Sequence, residues 1–197
     1  MAGVPFTLPL CDSPDFIGWC GSDGSLLPSG AALTLDEDTS FYAVFLNLTA
    51  LEGAAIKADG EDARLVFTAV LEKKAYDRLT VGDAGLISFS ALLRSGEQEM
   101  PVAVEIGSTP LTRNDGSEWV CLCAMTDRLL SDDYATAYNV QFQTTLQYTD
   151  GQTPASVLSA SGSARSALQV AHAALSDEST LYGDALTPIL RKIVDFT

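Results

Sequence analysis

The sequence predicts a mainly-β or α+β protein. The expected form is an antiparallel, immunoglobulin-like β-sandwich with a short capping helix and two C-terminal helices, preceded by a small β-rich segment. Three observations predict it. Apolar residues alternate at period two along several stretches bounded by Gly, Pro, Asn or Asp. Helical spacing is confined to one short internal stretch and the end of the chain. The order, strands first and helices late, is that of layered antiparallel sheets and argues against a parallel doubly wound sheet.

Length and composition set the frame. A chain of 197 residues holds one ordinary domain, or a domain plus a small appendage, and is long enough for a real core. At 47% hydrophobic and 19% charged it is expected to fold. Eleven Lys and Arg against 26 Asp and Glu leave a net charge of −15, which argues against nucleic acid and anionic membrane surfaces as partners. The longest apolar run, Trp119 to Met125, is far short of the ~20 residues of a membrane helix, so no membrane insertion is expected. Met1 to Pro5 carry neither a positive nor an apolar leader region; a mature form or a fragment of a longer precursor would look the same.

Charge is uneven along the chain. The first basic residue is Lys57, whereas Asp12, Asp15, Asp23, Asp36, Glu37, Asp38 and Glu52 all precede it. This asymmetry suggests two units, 1–46 and 47–197, with a joint at Asn47 to Gly53. The first unit reads as short extended pieces separated by the turn signals Gly21-Ser22-Asp23-Gly24 and Pro28-Ser29-Gly30. It ends in the strand Phe41 to Leu46, with Tyr42, Val44 and Leu46 on one face.

The second unit opens with Ala54 to Lys57, turns at Asp59-Gly60, and continues as Arg64 to Leu71. That strand is apolar on both faces, which predicts a central position. Glu72 to Leu79 takes helical spacing, with Ala75, Tyr76 and Leu79 on one side, and is the capping helix. Further strands are expected at Leu86 to Leu93, Val102 to Ile106, Glu118 to Met125, Ala137 to Tyr148 and Ala155 to Ala160. In the longest, Tyr138, Val140, Phe142, Thr144, Leu146 and Tyr148 share a core face, and Asp150-Gly151 then favours a hairpin. A helix with Ser163 as N-cap carries Ala164, Ala167, Leu168, Ala171 and Leu175 at helical spacing. The final helix has Thr187 as N-cap, Pro188 at the first position, and Ile189, Leu190, Ile193 and Val194 as its apolar stripe.

Two stretches resemble known modules. Phe16-Ile17-Gly18-Trp19, Asp23-Gly24 and Asp38 to Phe45 resemble the second half of the internalin-type B repeat, a small β-grasp-like module of bacterial surface proteins, without that repeat's first strand. Ala54 to Leu175 is similar to a β-sandwich module found near such repeats in surface proteins of Gram-positive gut bacteria. The similarity rests on Gly53 to Lys57, Arg64 to Thr68, Tyr76 to Leu79, Tyr138 to Phe142, Asp150-Gly151 and Arg165 to Ala171. The resemblance implies an extracellular, cell-surface location and an architecture, and carries over no reaction.

No residue pattern announces chemistry, and the function expected is that of a non-catalytic spacer or adhesion module. Its partner would be an unknown protein or glycan, with no cofactor. The alternative is a carbohydrate-binding module of a secreted multidomain protein, with Trp19 and Trp119 as glycan contacts, because an exposed indole face suits a pyranose ring. Each tryptophan, however, sits in an apolar strand-like context, where core packing is more usual. Asp36-Glu37-Asp38 and Asn114 to Glu118 offer oxygens that Ca²⁺ would take, but lack the spacing that wraps an ion locally and read first as turns. His172, the one histidine, sits at the margin of a helical stripe with no nucleophile motif to serve. Cys121 and Cys123 fall on one strand face and are expected as small buried hydrophobes rather than metal ligands. Cys11 and Cys20 are positioned to bridge if the compartment oxidises. Arg165, close to a helix start where a cation is unfavourable, is expected to be partly buried and bonded to a carboxylate or to strand-end carbonyls. Asn47-Leu48-Thr49 is a glycosylation sequon, relevant only in a eukaryotic secretory host.

Overall fold

A computed structural model describes residues 3–35, 38–80, 86–151, 156–177 and 186–196. Segment 3–46 forms five strands: β1 (Val4–Thr7), β2 (Phe16–Gly21), β3 (Leu26–Leu27), β4 (Ala32–Leu35) and β5 (Phe41–Phe45). β1 pairs with β4, while β3, β2 and β5 make a three-stranded antiparallel sheet. The Gly21–Gly24 turn is held by Asp23, whose carboxylate accepts from the Ser25 amide at 3.0 Å and its hydroxyl at 2.7 Å.

The larger part is a β-sandwich with C-terminal helices. One sheet contains β6 (Thr49–Ala50), β7 (Ala55–Asp59), β8 (Asp62–Glu72), β11 (Val104–Ile106), β12 (Leu111–Thr112) and β13 (Glu118–Met125). The other runs in the order β10 (Gln98–Val102), β9 (Ile87–Ser95), β14 (Tyr138–Leu146), β15 (Ser156–Arg165). Every strand pair is antiparallel. β8 is central, between β13 on one side and β6 and β7 on the other. Ala63, Leu65, Phe67 and Ala69 on its inner face are buried, whereas Val66 and Thr68 behind them are half-buried. β14 follows the expected alternation in full: Tyr138, Val140, Phe142, Thr144 and Leu146 are buried, and Asn139 and Thr145 exposed. Burying each Phe or Leu contributes ~1.5–3 kcal/mol, so the dry face of this strand contributes several kcal/mol to the core.

The helices are α1 (Lys73–Leu79), α2 (Ala167–Ser176) and α3 (Leu186–Asp195). α1 buries Ala75 and Leu79; α2 buries Ala167 and Ala171; α3 buries Ile189, Leu190 and Ile193. α2 and α3 pack on each other and on β7. Ile17, Leu26, Val44 and Leu46 of the first segment belong to the same apolar cluster as the sandwich core.

Three expected boundaries are corrected. Val102 to Ile106 is not one strand: Val102 pairs with Ala91 of one sheet and Val104 with Ala124 of the other, so the chain changes sheets at Ala103. β15 extends to Arg165, and the α2 cap is Ser166 rather than Ser163. The stretch Ser159 to Ala164 is all small residues, so ladder bonding to β14 decides its conformation. Ser166 and Gln169 form a reciprocal capping box, with N–H to side-chain oxygen distances of 3.2 and 3.1 Å. α3 already includes Leu186 and Thr187, so Pro188 sits third, still within the turn whose N–H groups have no helical partner.

Candidate functional site

The sandwich has two ends, and β14 runs from one to the other. At its far end Tyr148 is buried and its hydroxyl donates to the Ile17 carbonyl at 2.6 Å. Beside it the Thr149 amide donates to the Leu26 carbonyl and the Leu26 amide to the Thr149 hydroxyl, both at 2.8 Å. The Arg78 guanidinium at the end of α1 donates to the Ala43 carbonyl at 3.4 Å and lies over the Tyr42 ring, 5.0 Å from its centroid. Segment 3–46 is thereby fixed over this end. Tyr42 is nonetheless 49% exposed, although Val44 and Leu46 on its face are buried.

At the near end an open cavity of about 390 Å³ lies where the chain crosses from one sheet to the other, lined by core-face residues such as Leu93 and Tyr138 and by Glu105 and Met125 from the outer face of the second sheet. Its apolar walls include Leu93, Met100, Val102, Met125 and Leu129. Its polar and charged residues include Arg64, Glu105, Asp127, Arg128, Asp133 and Tyr138, while the Thr126 hydroxyl is taken by the Leu65 amide at 3.0 Å. The crossover at Ala103 carries Glu105 to the cavity. Leu129 bridges to Ala63, its amide donating to that carbonyl at 2.9 Å, which pins the 126–133 loop across the opening. The loop then closes in a 3₁₀ turn, where the Leu130 amide donates to the Asp133 carboxylate at 3.1 Å. Tyr138 opens β14 with its ring on the core face and is 8% exposed. Burial raises its phenol pKa above the ordinary value, and the carboxylates of Asp133 and Asp127 add to the rise.

The residues singled out in the sequence are dispersed. Trp19 on β2 and Trp119 on β13 stand in different sheets, and both are half-buried. The Trp19 indole N–H donates to the Pro9 carbonyl at 3.0 Å and its ring meets Phe16 edge-on. The Trp119 N–H donates to the Ser117 hydroxyl at 2.9 Å, and the Arg113 guanidinium lies 3.9 Å from its ring centroid. His172 is exposed on α2 and lines none of the described cavities. Arg165 is half-buried, ends β15, and donates to the carbonyl of its own neighbour Ala164 at 2.9 Å, so this bond joins no two elements.

All four cysteines are free thiols, including Cys11 and Cys20. Cys121 and Cys123 share a face as expected, but it is the outer one. Val120, Leu122 and Ala124 are the buried residues of β13, and the two cysteines are half-buried. Burial pushes the Cys20 and Cys121 thiols up from their ordinary pKa. The Asn114 to Glu118 segment is a hairpin turn, with the Asp115 carboxylate accepting from the Ser117 amide and hydroxyl at 2.9 and 2.7 Å. Asp36 and Glu37 lie outside the described residues. Among the described residues no three His, Cys, Asp or Glu side chains are gathered closely enough to hold a metal ion. No helix among them is long and apolar enough to cross a membrane.

The near-end cavity was not anticipated from sequence. Its residues come from loops and strand ends far apart in the chain, and the one local signal is Pro101, which marks β10 as an edge strand. No protein-family model matches the chain, and comparison with curated proteins finds no relative.

Proposed function

We propose that this chain is a non-catalytic module of a bacterial cell-surface protein, acting as a spacer or adhesion domain. The observation that carries the reading is the route of the polypeptide. Segment 3–46 is fixed where β8 ends, by Tyr148, Thr149 and Arg78. α3 finishes where β8 begins: Lys192 donates to the Glu61 carbonyl at 3.1 Å, and Phe196 meets the Tyr134 ring edge-on. The chain therefore traverses the sandwich lengthwise, along a β8 of 11 residues or about 36 Å. A module crossed end to end extends a linear array, and the hydrogen-bonded seam at its entry keeps that extension stiff. The likeness of Phe16 to Phe45 to part of a B repeat supports the same location. The exposed setting of His172, away from the described cavities, favours a binding or spacing role over hydrolysis.

The test is accessibility on living cells. Antibodies against the purified chain, applied to intact cells of the organism that makes it, are expected to label the surface and to lose the signal after brief external proteolysis. Labelling only after lysis overturns the proposal. The carbohydrate-binding alternative draws on the half-exposed rings of Trp19 and Trp119. A glycan array supports it if a signal at millimolar affinity or tighter disappears in Trp19→Ala or Trp119→Ala.

A further inference from the structure

We infer that the near-end cavity is a binding site for a small organic cation with an apolar body, such as an aryl-alkyl ammonium. The inference is independent of where the protein resides.

The first argument is shape. The open cavity at the crossover is about 390 Å³, within the usual range for a pocket that holds one small molecule. Thioethers of Met100 and Met125, with Leu93 and Leu129, provide an adaptable apolar lining.

The second argument is the balance of charge. Both cations at the cavity are engaged by acids that do not line it. Arg64 is bonded to Asp59 at 2.9 Å, and Arg128 is paired with Asp62, which Lys192 also approaches at 3.7 Å. The three lining carboxylates are less compensated. Glu105 has Lys57 at 3.9 Å, Asp133 takes the Leu130 amide, and Asp127 has no ion pair among the described residues. The cavity is thus left with unneutralised negative charge, in a chain already at −15. The carboxylates do not cluster into a metal-holding set, which favours a diffuse organic cation over a bare ion.

The third argument is Tyr138. It is 8% exposed and lines the cavity, yet its hydroxyl has no hydrogen-bond partner among the described residues. Among the described residues only the Thr144 hydroxyl is both fully enclosed and unpartnered, so the Tyr138 hydroxyl reaches the solvent-filled cavity. Here the ring and its hydroxyl face the cavity beside two carboxylates, an arrangement that offers a cation both a π-face and an oxygen.

The chain contains three methionines, Met1, Met100 and Met125, and two of them line the cavity. Methyl-labelled full-length protein titrated with phenylethylammonium is expected to show saturable shifts of the Met100 and Met125 methyl resonances, with Met1 unmoved. The dissociation constant is expected to be roughly 1 mM or tighter. Asp127→Asn is expected to weaken binding about five-fold and Tyr138→Phe about three-fold. Both variants should keep the wild-type spectrum in the absence of probe. Phenylethanol and phenylpropionate serve as neutral and anionic controls, expected to bind at least five-fold more weakly. Three results would overturn the inference: no saturable shift at Met100 and Met125, equal response to the neutral or anionic probe, or undiminished binding by Asp127→Asn in a folded variant.

Discussion

Two tyrosines ten positions apart on β14 and its continuation make opposite uses of the same chemistry. Tyr148 and Tyr138 are both on the core face and comparably buried, 9% and 8% exposed. Tyr148 gives its hydroxyl to the backbone of another sheet, whereas the Tyr138 hydroxyl has no protein partner among the described residues. The end built around Tyr148 is sealed, with main-chain groups on both sides of the seam satisfied. The other is open, with the phenol hydroxyl near the carboxylates of Asp133 and Asp127. Burial alone therefore does not tell whether a phenol ties two elements together; the fate of its hydroxyl does.

That contrast can be broken most forcefully at the sealed end. A methyl group placed on Gly18 would lie 2.7 Å from the Leu27 carbonyl oxygen and 3.2 Å from the Tyr148 ring. Gly18→Ala is therefore expected to cost on the order of 3 kcal/mol in urea unfolding. At the open end Gly96 has a positive φ of 58° but free space around it. Gly96→Ala is expected to cost only about 1 kcal/mol, for backbone strain without a clash.

The tyrosines themselves give the sharper comparison at smaller amplitude. Tyr148→Phe strands the Ile17 carbonyl in a buried seam and should lose about 1–3 kcal/mol. Tyr138→Phe removes a hydroxyl that bonds nothing in the protein and should change stability by less than about 0.5 kcal/mol. Equal losses would erase the distinction between the ends. Between the two tyrosines on the same face lies Thr144, fully buried, whose hydroxyl is unpaired. Thr144→Val, close in shape, is expected to raise stability by about 1 kcal/mol.

The smallest effect is electrostatic. Hydrogen bonds from the Ser25 hydroxyl and amide hold the Asp23 carboxyl below the ordinary carboxylate pKa, and those of Ser117 do the same for Asp115. A depressed folded pKa means that the turn's contribution is present in full above the unfolded value of about 3.9 and is lost as pH falls through the folded one. A carboxyl NMR titration of Ser25→Ala should find Asp23 moved back up toward the unfolded value, with little change in stability at neutral pH.

The sandwich was legible in the sequence wherever one face of a strand is dry and the other wet. β14 shows this best, because six alternating positions admit only one register. Legibility failed where all side chains are alike or where pairing, not patterning, decides. Ser159 to Ala164 has no amphipathic period, so the pattern alone starts the helix at Ser163, inside β15, even though Ser166 and Gln169 stand at capping-box spacing three residues apart. Val102 to Ile106 alternates as one strand should, and nothing in its composition shows that its halves bond to different sheets. The cavity inherits that blindness, since it opens where the crossover occurs. For β13 the period was right but the face was inverted. Trp119, Cys121, Cys123 and Met125 are as apolar as Val120, Leu122 and Ala124, so hydropathy could not choose between them.

The thiols bear on how the protein endures its surroundings. None of the four is spent on a crosslink, and Cys20 and Cys121 are kept protonated by burial, the state in which sulfur attacks oxidants and disulfides slowly. Its architecture thus rests on packing and hydrogen bonding, with no crosslink among these four. The same native form is attainable in a reducing cytosol and in an aerated medium, and no oxidative folding machinery is required to make it.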